Sequence, residues 1–226
     1  MNLKGKAVVI TGGSEGLGKA LAKLFVDEGT RVIISARNKE KLEAAAKEIG
    51  AVGVVADVTK EEQLKLLGEA AVRQLGKIDI WVNNAGLWMG HQYAEDVDME
   101  QVKQMLDVNI LGTIFGSRVA LSQMKKEGLG TIVNILSSSA LIGRPKGSMY
   151  AATKWAVNGF TKSIREENSD TGINVFGVFP GAFKTDIFKD AKPETFNTFM
   201  DVEYVAEKII ENLKLEHPEA DLGVDK

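Results

Sequence analysis

Tyr150 and Lys154 stand four residues apart in Ser148-Met149-Tyr150-Ala151-Ala152-Thr153-Lys154, a spacing that brings both side chains out on one face of a helix. A free phenol ionises at a pKa of about 10, too high for easy proton exchange at neutrality. An ammonium beside it favours the phenolate and is expected to lower that value. The pair therefore suits giving a proton to an oxygen atom, or taking one from it. The same spacing describes many ordinary helix faces, so the pair acquires meaning only from its surroundings.

A second stretch with chemical potential is Thr11-Gly12-Gly13-Ser14-Glu15-Gly16-Leu17-Gly18. It follows the apolar run Ala7 to Ile10 and leads into Leu17 to Asp27, where Leu17, Leu21, Leu24 and Phe25 form one stripe. A strand, a glycine turn and a helix start together make a seat for a pyrophosphate. Glycines let the backbone approach, and the free N–H groups and helix dipole favour the anion. Gly12, Ser14, Glu15, Gly16, Leu17 and Gly18 are thus candidate dinucleotide contacts, the alternative being a tight strand-to-helix turn without a ligand. Gly13, Gly18 and Lys19 also fit the G-x-x-x-x-G-K pattern of a nucleotide triphosphatase. Ala20 offers no hydroxyl for magnesium, however, and Glu15 would sit among the phosphates.

The choice of dinucleotide is read at Ser35-Ala36-Arg37-Asn38, about 20 positions past the glycines, where NAD sites place an acidic residue on the ribose 2′-hydroxyl. Uncharged Ala36 followed by cationic Arg37 suits a 2′-phosphate instead. NADP(H) is therefore the preferred cofactor, with NAD(H) an admissible second. Glu15 weakens the attraction, and Arg37 also reads as an exposed arginine opening a helix.

Positioning these groups requires a scaffold. Val- and Ile-rich segments at Ala7 to Ile10, Arg31 to Ser35, Val52 to Ala56 and Ile78 to Asn83 alternate with amphipathic stretches at Lys39 to Ile49 and Lys60 to Leu75. Thr59 with Glu62 reads as a capping box for the latter. The alternation continues through a long helical stretch from Met99 to about Lys126, strand-like Thr131 to Leu136, helix-like Ser148 to Glu167 and strand-like Asn174 to Phe179. Strands without polar alternation, joined by crossover helices, predict an α/β doubly wound parallel sheet with helices on both faces. Residues 1–226 read as a single domain, with Gly128 to Gly130 a helix-to-strand turn.

At 226 residues and 44% hydrophobic, the chain has material for a substantial core. A net charge of -3, from 28 basic and 31 acidic residues, argues against nucleic acid or an anionic membrane as partner and leaves small molecules open. The absence of cysteine removes disulfides, Cys-zinc sites and thiol nucleophiles. Neither His91 nor the other histidine has a neighbour at metal-ligand spacing, so no metal is expected. The opening apolar run is too short for a signal peptide or a span, which makes the cytoplasm the expected location.

With these motifs in order, the sequence resembles the classical short-chain dehydrogenases/reductases from about Lys4 to Ile187. Thr11 to Gly18 matches the family's T-G-x-x-x-G-x-G turn, and Asn83-Asn84-Ala85-Gly86 its N-N-A-G. Asn109 matches its helix asparagine, and Ser137 stands thirteen residues before Tyr150 as its serine does. Pro180-Gly181 with Thr185 resembles its P-G motif, and Asp57-Val58 its adenine-contacting pair. The resemblance implies a Rossmann-like fold and hydride transfer between NADP(H) and a carbonyl or alcohol substrate. Tyr150 would be the general acid/base, Ser137 would orient the carbonyl and stabilise the oxyanion, and Lys154 would hold the nicotinamide ribose and tune Tyr150. Asn109 would position a water that resupplies protons. Asn83, Ala85, Gly86, Pro180, Gly181 and Thr185 would flank the cofactor. Ser138 and Ser139 adjoin Ser137, so that choice rests on the offset. Asn83 and Asn84 also read as turn formers, and Asp57 as a helix-entry residue.

The substrate is expected beyond the carboxyl ends of the strands. Leu87, Trp88, Met89 and Tyr93 are candidate walls on one side, Phe183, Ile187 and Phe188 on the other, with a compact lid from Phe188 to Met200. Leu215 to Lys226 lacks the family's V-D-G-G ending, leaving either a truncated chain or a divergent last strand around Asp221 to Lys226. A homodimer or homotetramer is implied by analogy, through the helices of Met99 to Lys126 and Ser148 to Glu167. The competing function is an NADP(H)-binding regulatory or scaffold protein that keeps this fold without turnover.

Overall fold

The computed structural model describes residues 1–185 and 193–225. Seven strands run in chain order as β1 Ala7–Thr11, β2 Arg31–Ala36, β3 Val52–Val55, β4 Ile80–Asn83, β5 Leu129–Ile135, β6 Gly172–Pro180 and β7 Asp221–Val224. They form one sheet in the order β3-β2-β1-β4-β5-β6-β7, every pair parallel. The connecting helices are α1 Gly16–Asp27, α2 Lys39–Ile49, α3 Glu61–Leu75, α4 Met99–Leu106, α5 Gly112–Glu127, α6 Ser148–Glu166 and α7 Val202–Lys214.

Successive strand side chains point to opposite faces, and both faces are apolar. Val8, Ile10, Val32 and Ile34 pack with Leu21 and Phe25 of α1, Leu42 of α2 and Ile209 of α7. Ala7, Val9, Ile33 and Trp81 pack with Leu64 and Leu67 of α3 and Val119 and Ala120 of α5. Each large apolar side chain removed from water stabilises the fold by roughly 1.5–3 kcal/mol, so the two helical layers hold the sheet from both sides. The chain runs from β1 outward to β3, then returns to β4 on the other flank of β1. The carboxyl ends of β1 and β4 therefore face diverging connections, which opens a crevice there.

Of the two readings of the C-terminus, the divergent last strand is the one found: Asp221–Val224 pairs with Gly177–Pro180, and Arg165 donates to the Ala220 carbonyl (2.7 Å) and contacts the Asp221 carboxylate (2.6 Å). Two local expectations are corrected. Thr59 and Glu62 form no capping box. Helix α3 begins at Glu61, and the Thr59 hydroxyl donates instead to the Asp57 carboxylate at 2.9 Å, a charged acceptor two residues away that competes successfully for it. The long segment from Met99 is broken by a π-turn at Asp107–Leu111, which holds buried Asn109.

A buried polar ladder crosses the sheet beneath the crevice. Trp81 Nε1 donates to Asn83 (2.8 Å), whose amide donates to Ser117 (2.9 Å) and to Asn134 (2.8 Å); Asn134 in turn donates to Thr161 on α6 (2.9 Å). Truncating its central member strands buried polar atoms. Asn134→Ala is expected to cost about 1–3 kcal/mol, seen as a drop of several degrees in Tm; an unchanged melting curve would contradict this role.

Candidate active site

A cleft of about 1140 Å³ runs along the carboxyl ends of the central strands. Pockets for single small molecules occupy roughly 300–1,000 Å³, so this one has room for more than a small substrate alone. Its floor is the glycine turn. Gly12 and Gly16 adopt φ of 66° and 55°, conformations that disfavour other residues. A Cβ at Gly12 would lie 2.9 Å from the Ala85 Cα, and one at Gly16 would lie 2.9 Å from Thr185 Oγ1. The Thr11 hydroxyl accepts the N–H groups of Asn84 (3.1 Å) and Ala85 (3.2 Å), while the Asn84 amide donates to the carbonyls of Thr11 (2.9 Å) and Gly12 (3.1 Å). These bonds fasten the turn after β1 to the end of β4. No side chain caps the start of α1, where Gly16 and Leu17 line the cleft, so a cradle for an anion is present.

At the β2 end the lining includes Ser14, Glu15, Ala36, Arg37, Asn38 and Lys41. Asn38 caps α2 by accepting the Lys41 N–H at 2.8 Å, which sets the first turn of that helix against the cleft. Lys41 Nζ pairs with Glu15 at 2.9 Å, so the carboxylate is partly offset by a cation that sequence reading overlooked. The available signal was its place in the first turn of the helix that follows Arg37. Ala56 and Val58 supply an apolar wall, whereas the Asp57 carboxylate is engaged by the N–H and hydroxyl of Thr59.

At the other end the structure brings Ser137, Tyr150 and Lys154 to one wall. Lys154 is buried, and its ammonium donates to the Ile135 carbonyl at 2.9 Å, with Nζ 5.6 Å from the Tyr150 ring centroid. Burial pushes the Tyr150 phenol up to about 12, against a smaller downward pull from its hydrogen bond with Ser137. Burial likewise draws the Lys154 ammonium down to about 8. The expected lowering of the phenol is thus reversed, because desolvation of its charged form is the largest effect on it. Ser137 Oγ accepts the Ser139 N–H at 3.1 Å, and all three serines line the cleft.

Asn109 lies behind this wall. Its side chain accepts the Leu87 N–H (2.7 Å) and donates to the Leu87 carbonyl (2.9 Å) and to Thr153 Oγ1 (3.1 Å), while Thr153 donates to the Tyr150 carbonyl (2.7 Å). It ties the segment after Gly86 to the helix carrying Tyr150 and Lys154.

Of the other sequence candidates, Ala85, Gly86, Pro180, Gly181 and Thr185 line the cleft. Asn83 is 4% exposed and belongs to the polar ladder; its neighbour Asn84 faces the cleft instead. Gly18 stands behind the lining, where a Cβ would overlap the Gly12 carbonyl and the Asn84 amide. Leu87, Trp88 and Phe183 are walls. Met89 lines a small adjoining pocket, and Tyr93 is exposed. Ile187, Phe188 and the first part of the Phe188 to Met200 lid lie outside the described residues, while Pro193, Thr195 and Phe199 of that stretch line the cleft. His91 and Arg144 were not anticipated as lining. Among the described residues no three metal-ligating side chains cluster, and no helix is long and apolar enough to cross a membrane.

The chain belongs to the short chain dehydrogenase family, whose profile matches residues 6–195. It is 33% identical over 192 residues to L-fucose dehydrogenase of Bos taurus, covering 84% of this chain and 71% of that protein. It is 35% identical over 191 residues to an uncharacterized oxidoreductase of Staphylococcus saprophyticus, covering 82% and 77%. Among solved structures, a 3-ketoacyl-(acyl-carrier-protein) reductase from Brucella melitensis complexed with NADH superposes with a TM-score of 0.90 at 32% identity, covering 99% of this chain and 98% of that one. An alcohol dehydrogenase from Thermococcus sibiricus complexed with 5-hydroxy-NADP gives 0.89 at 28% identity, covering 98% and 96%. The protein is accordingly a Rossmann-fold oxidoreductase with a nicotinamide cofactor and a small-molecule substrate.

Proposed function

We propose that this protein is an NADP(H)-dependent oxidoreductase that interconverts a carbonyl and an alcohol, with Tyr150 as the general acid/base. The observation that carries the reading is the meeting of Ser137, Tyr150 and Lys154 on one wall of a cleft floored by the glycine turn. When bound, the nicotinamide supplies or accepts the hydride. In the reducing direction Tyr150 gives its proton to the substrate oxygen, and Ser137 holds that oxygen by a hydrogen bond as negative charge develops. Lys154 binds the nicotinamide ribose and, as an ammonium, eases loss of the phenolic proton. Asn109 keeps the Leu87 segment and the Tyr150 helix in register. The glycine turn and the start of α1 hold the pyrophosphate. A carbonyl panel with NADPH tests the reading: oxidation of NADPH coupled to alcohol formation supports it, and tight NADPH binding without turnover favours a regulatory protein.

Arg37 and Lys41 receive the 2′-phosphate, Lys41 at the expense of its pairing with Glu15. A charge-assisted hydrogen bond contributes about 1.5–3 kcal/mol, so Arg37→Ala or Lys41→Ala is expected to weaken NADPH binding about 10–100-fold. NADH binding, lacking that phosphate, stays within about threefold. Titrating intrinsic fluorescence with both nucleotides checks this, and equal losses for the two would contradict it. One continuous sheet supports a single domain. Exposed Leu111 and Trp155, on the π-turn leading into α5 and on α6, support pairing of two or four copies through those helices.

A further inference from the structure

We infer that the carbonyl substrate carries a carboxylate, received by Arg144 with His91 beside it. This deepens the proposed reaction and rests on it. Two segments build the substrate end of the cleft, one following Gly86 and one preceding Tyr150, and they are joined at a strained point. Among the described residues Lys146 is the non-glycine residue with positive φ, at 60°. Its carbonyl accepts the Gln92 N–H at 3.0 Å, and its ammonium sits 4.8 Å from the centroid of the Tyr93 ring. Strain of this kind persists where the surroundings hold it, and here it fixes the turn that carries Arg144. His91 from one segment and Arg144 from the other thereby line the same cleft as Ser137 and Tyr150.

The charges along that cleft are unevenly placed. Its carboxylate among the described lining residues is Glu15, which lies at the β2 end and pairs with Lys41. Arg144 lies at the opposite end, beyond β5, and no carboxylate pairs with it among the described residues. With no acid on that wall among the described residues, the guanidinium selects an oxyanion, which it grips through two parallel N–H groups. One guanidinium and one imidazole match a monoanionic carboxylate, whereas a phosphate dianion calls for a larger set of donors. Trp88, Phe183 and Phe199 give the remaining wall an apolar character, and Trp88 meets His91 edge-on at 5.2 Å between centroids. The substrate class is therefore an oxo acid with an apolar body, or the corresponding hydroxy acid.

The test pairs 2-, 3- and 4-oxo acids of increasing chain length with their methyl esters, using NADPH and the full chain. At least one acid is expected to exceed its ester in kcat/KM by about tenfold or more. Arg144→Gln is expected to remove that advantage through KM, leaving the esters within about twofold and the NADPH affinity unchanged. Esters reduced as well as acids, or an Arg144→Gln variant that slows both equally, would overturn the inference. A parallel readout uses tryptophan fluorescence of the NADP⁺-loaded protein, with Trp88 as reporter, titrated with the same acids and esters. Acid-specific quenching that Arg144→Gln abolishes, without turnover, would uphold the anion site and defeat the hydride chemistry. No acid-specific quenching and no acid preference would defeat the anion site.

Discussion

Tyr150→Phe is expected to lower kcat by about 10²–10⁴-fold, the contribution of a positioned general acid, while NADPH affinity stays within about twofold. The substitution deletes one oxygen from a ring whose place is otherwise set by α6, so the cleft keeps its shape. What disappears is the proton donor and the hydrogen bond with Ser137. With its pKa near 12, the phenol is protonated throughout the physiological range, the form needed to reduce a carbonyl. It becomes an effective donor only as negative charge grows on the substrate oxygen. A variant that turns over as fast as the parent would remove Tyr150 from the chemistry.

Lys154→Met is expected to reduce kcat/KM on the order of 10²-fold and, unlike the tyrosine change, to weaken NADPH binding as well. The ammonium is buried, donates to the Ile135 carbonyl and faces the cleft, so one charge serves both the ribose and the phenol. The sign of its pH dependence follows from burial. Because burial draws the pKa down to about 8 from the ordinary 10.5 of a lysine, the charged form is present below that pH and is lost above it. NADPH affinity should therefore fall as pH rises through about 8 in the parent, while Tyr150, still protonated there, adds nothing to the change. In Lys154→Met the profile over this interval is expected to be flat. A parent whose affinity is level between pH 7 and 9.5 would contradict the assignment.

The alternation of apolar segments and amphipathic stretches made the parallel sheet legible, since strands buried on both faces have no other pattern. Strand β7 was legible only as one of two alternatives, because Asp221-Leu222-Gly223-Val224 is too short and too polar to stand out before β6 pairs with it. The glycine turn, Tyr150, Lys154 and Ser137 were legible as candidates from local spacing. Asn83 was misjudged for a geometric reason: neighbours at a strand end point to opposite sides, so Asn83 enters the ladder and Asn84 the cleft. Lys41, His91 and Arg144 depend on partners or walls distant in sequence. The direction of the tyrosine shift was hidden too, since desolvation is a property of the folded walls rather than of a four-residue spacing.

The central claim, that Tyr150 works beside a nicotinamide on a carbonyl carbon, is tested most directly with NADPH carrying deuterium at both positions of C4 of the nicotinamide and a reducible oxo acid. Deuterium is predicted on the carbinol carbon of the alcohol formed by the parent protein, and on none formed at a comparable rate by Tyr150→Phe. NADPH bound tightly with its deuterium retained, across acids and esters alike, would contradict it.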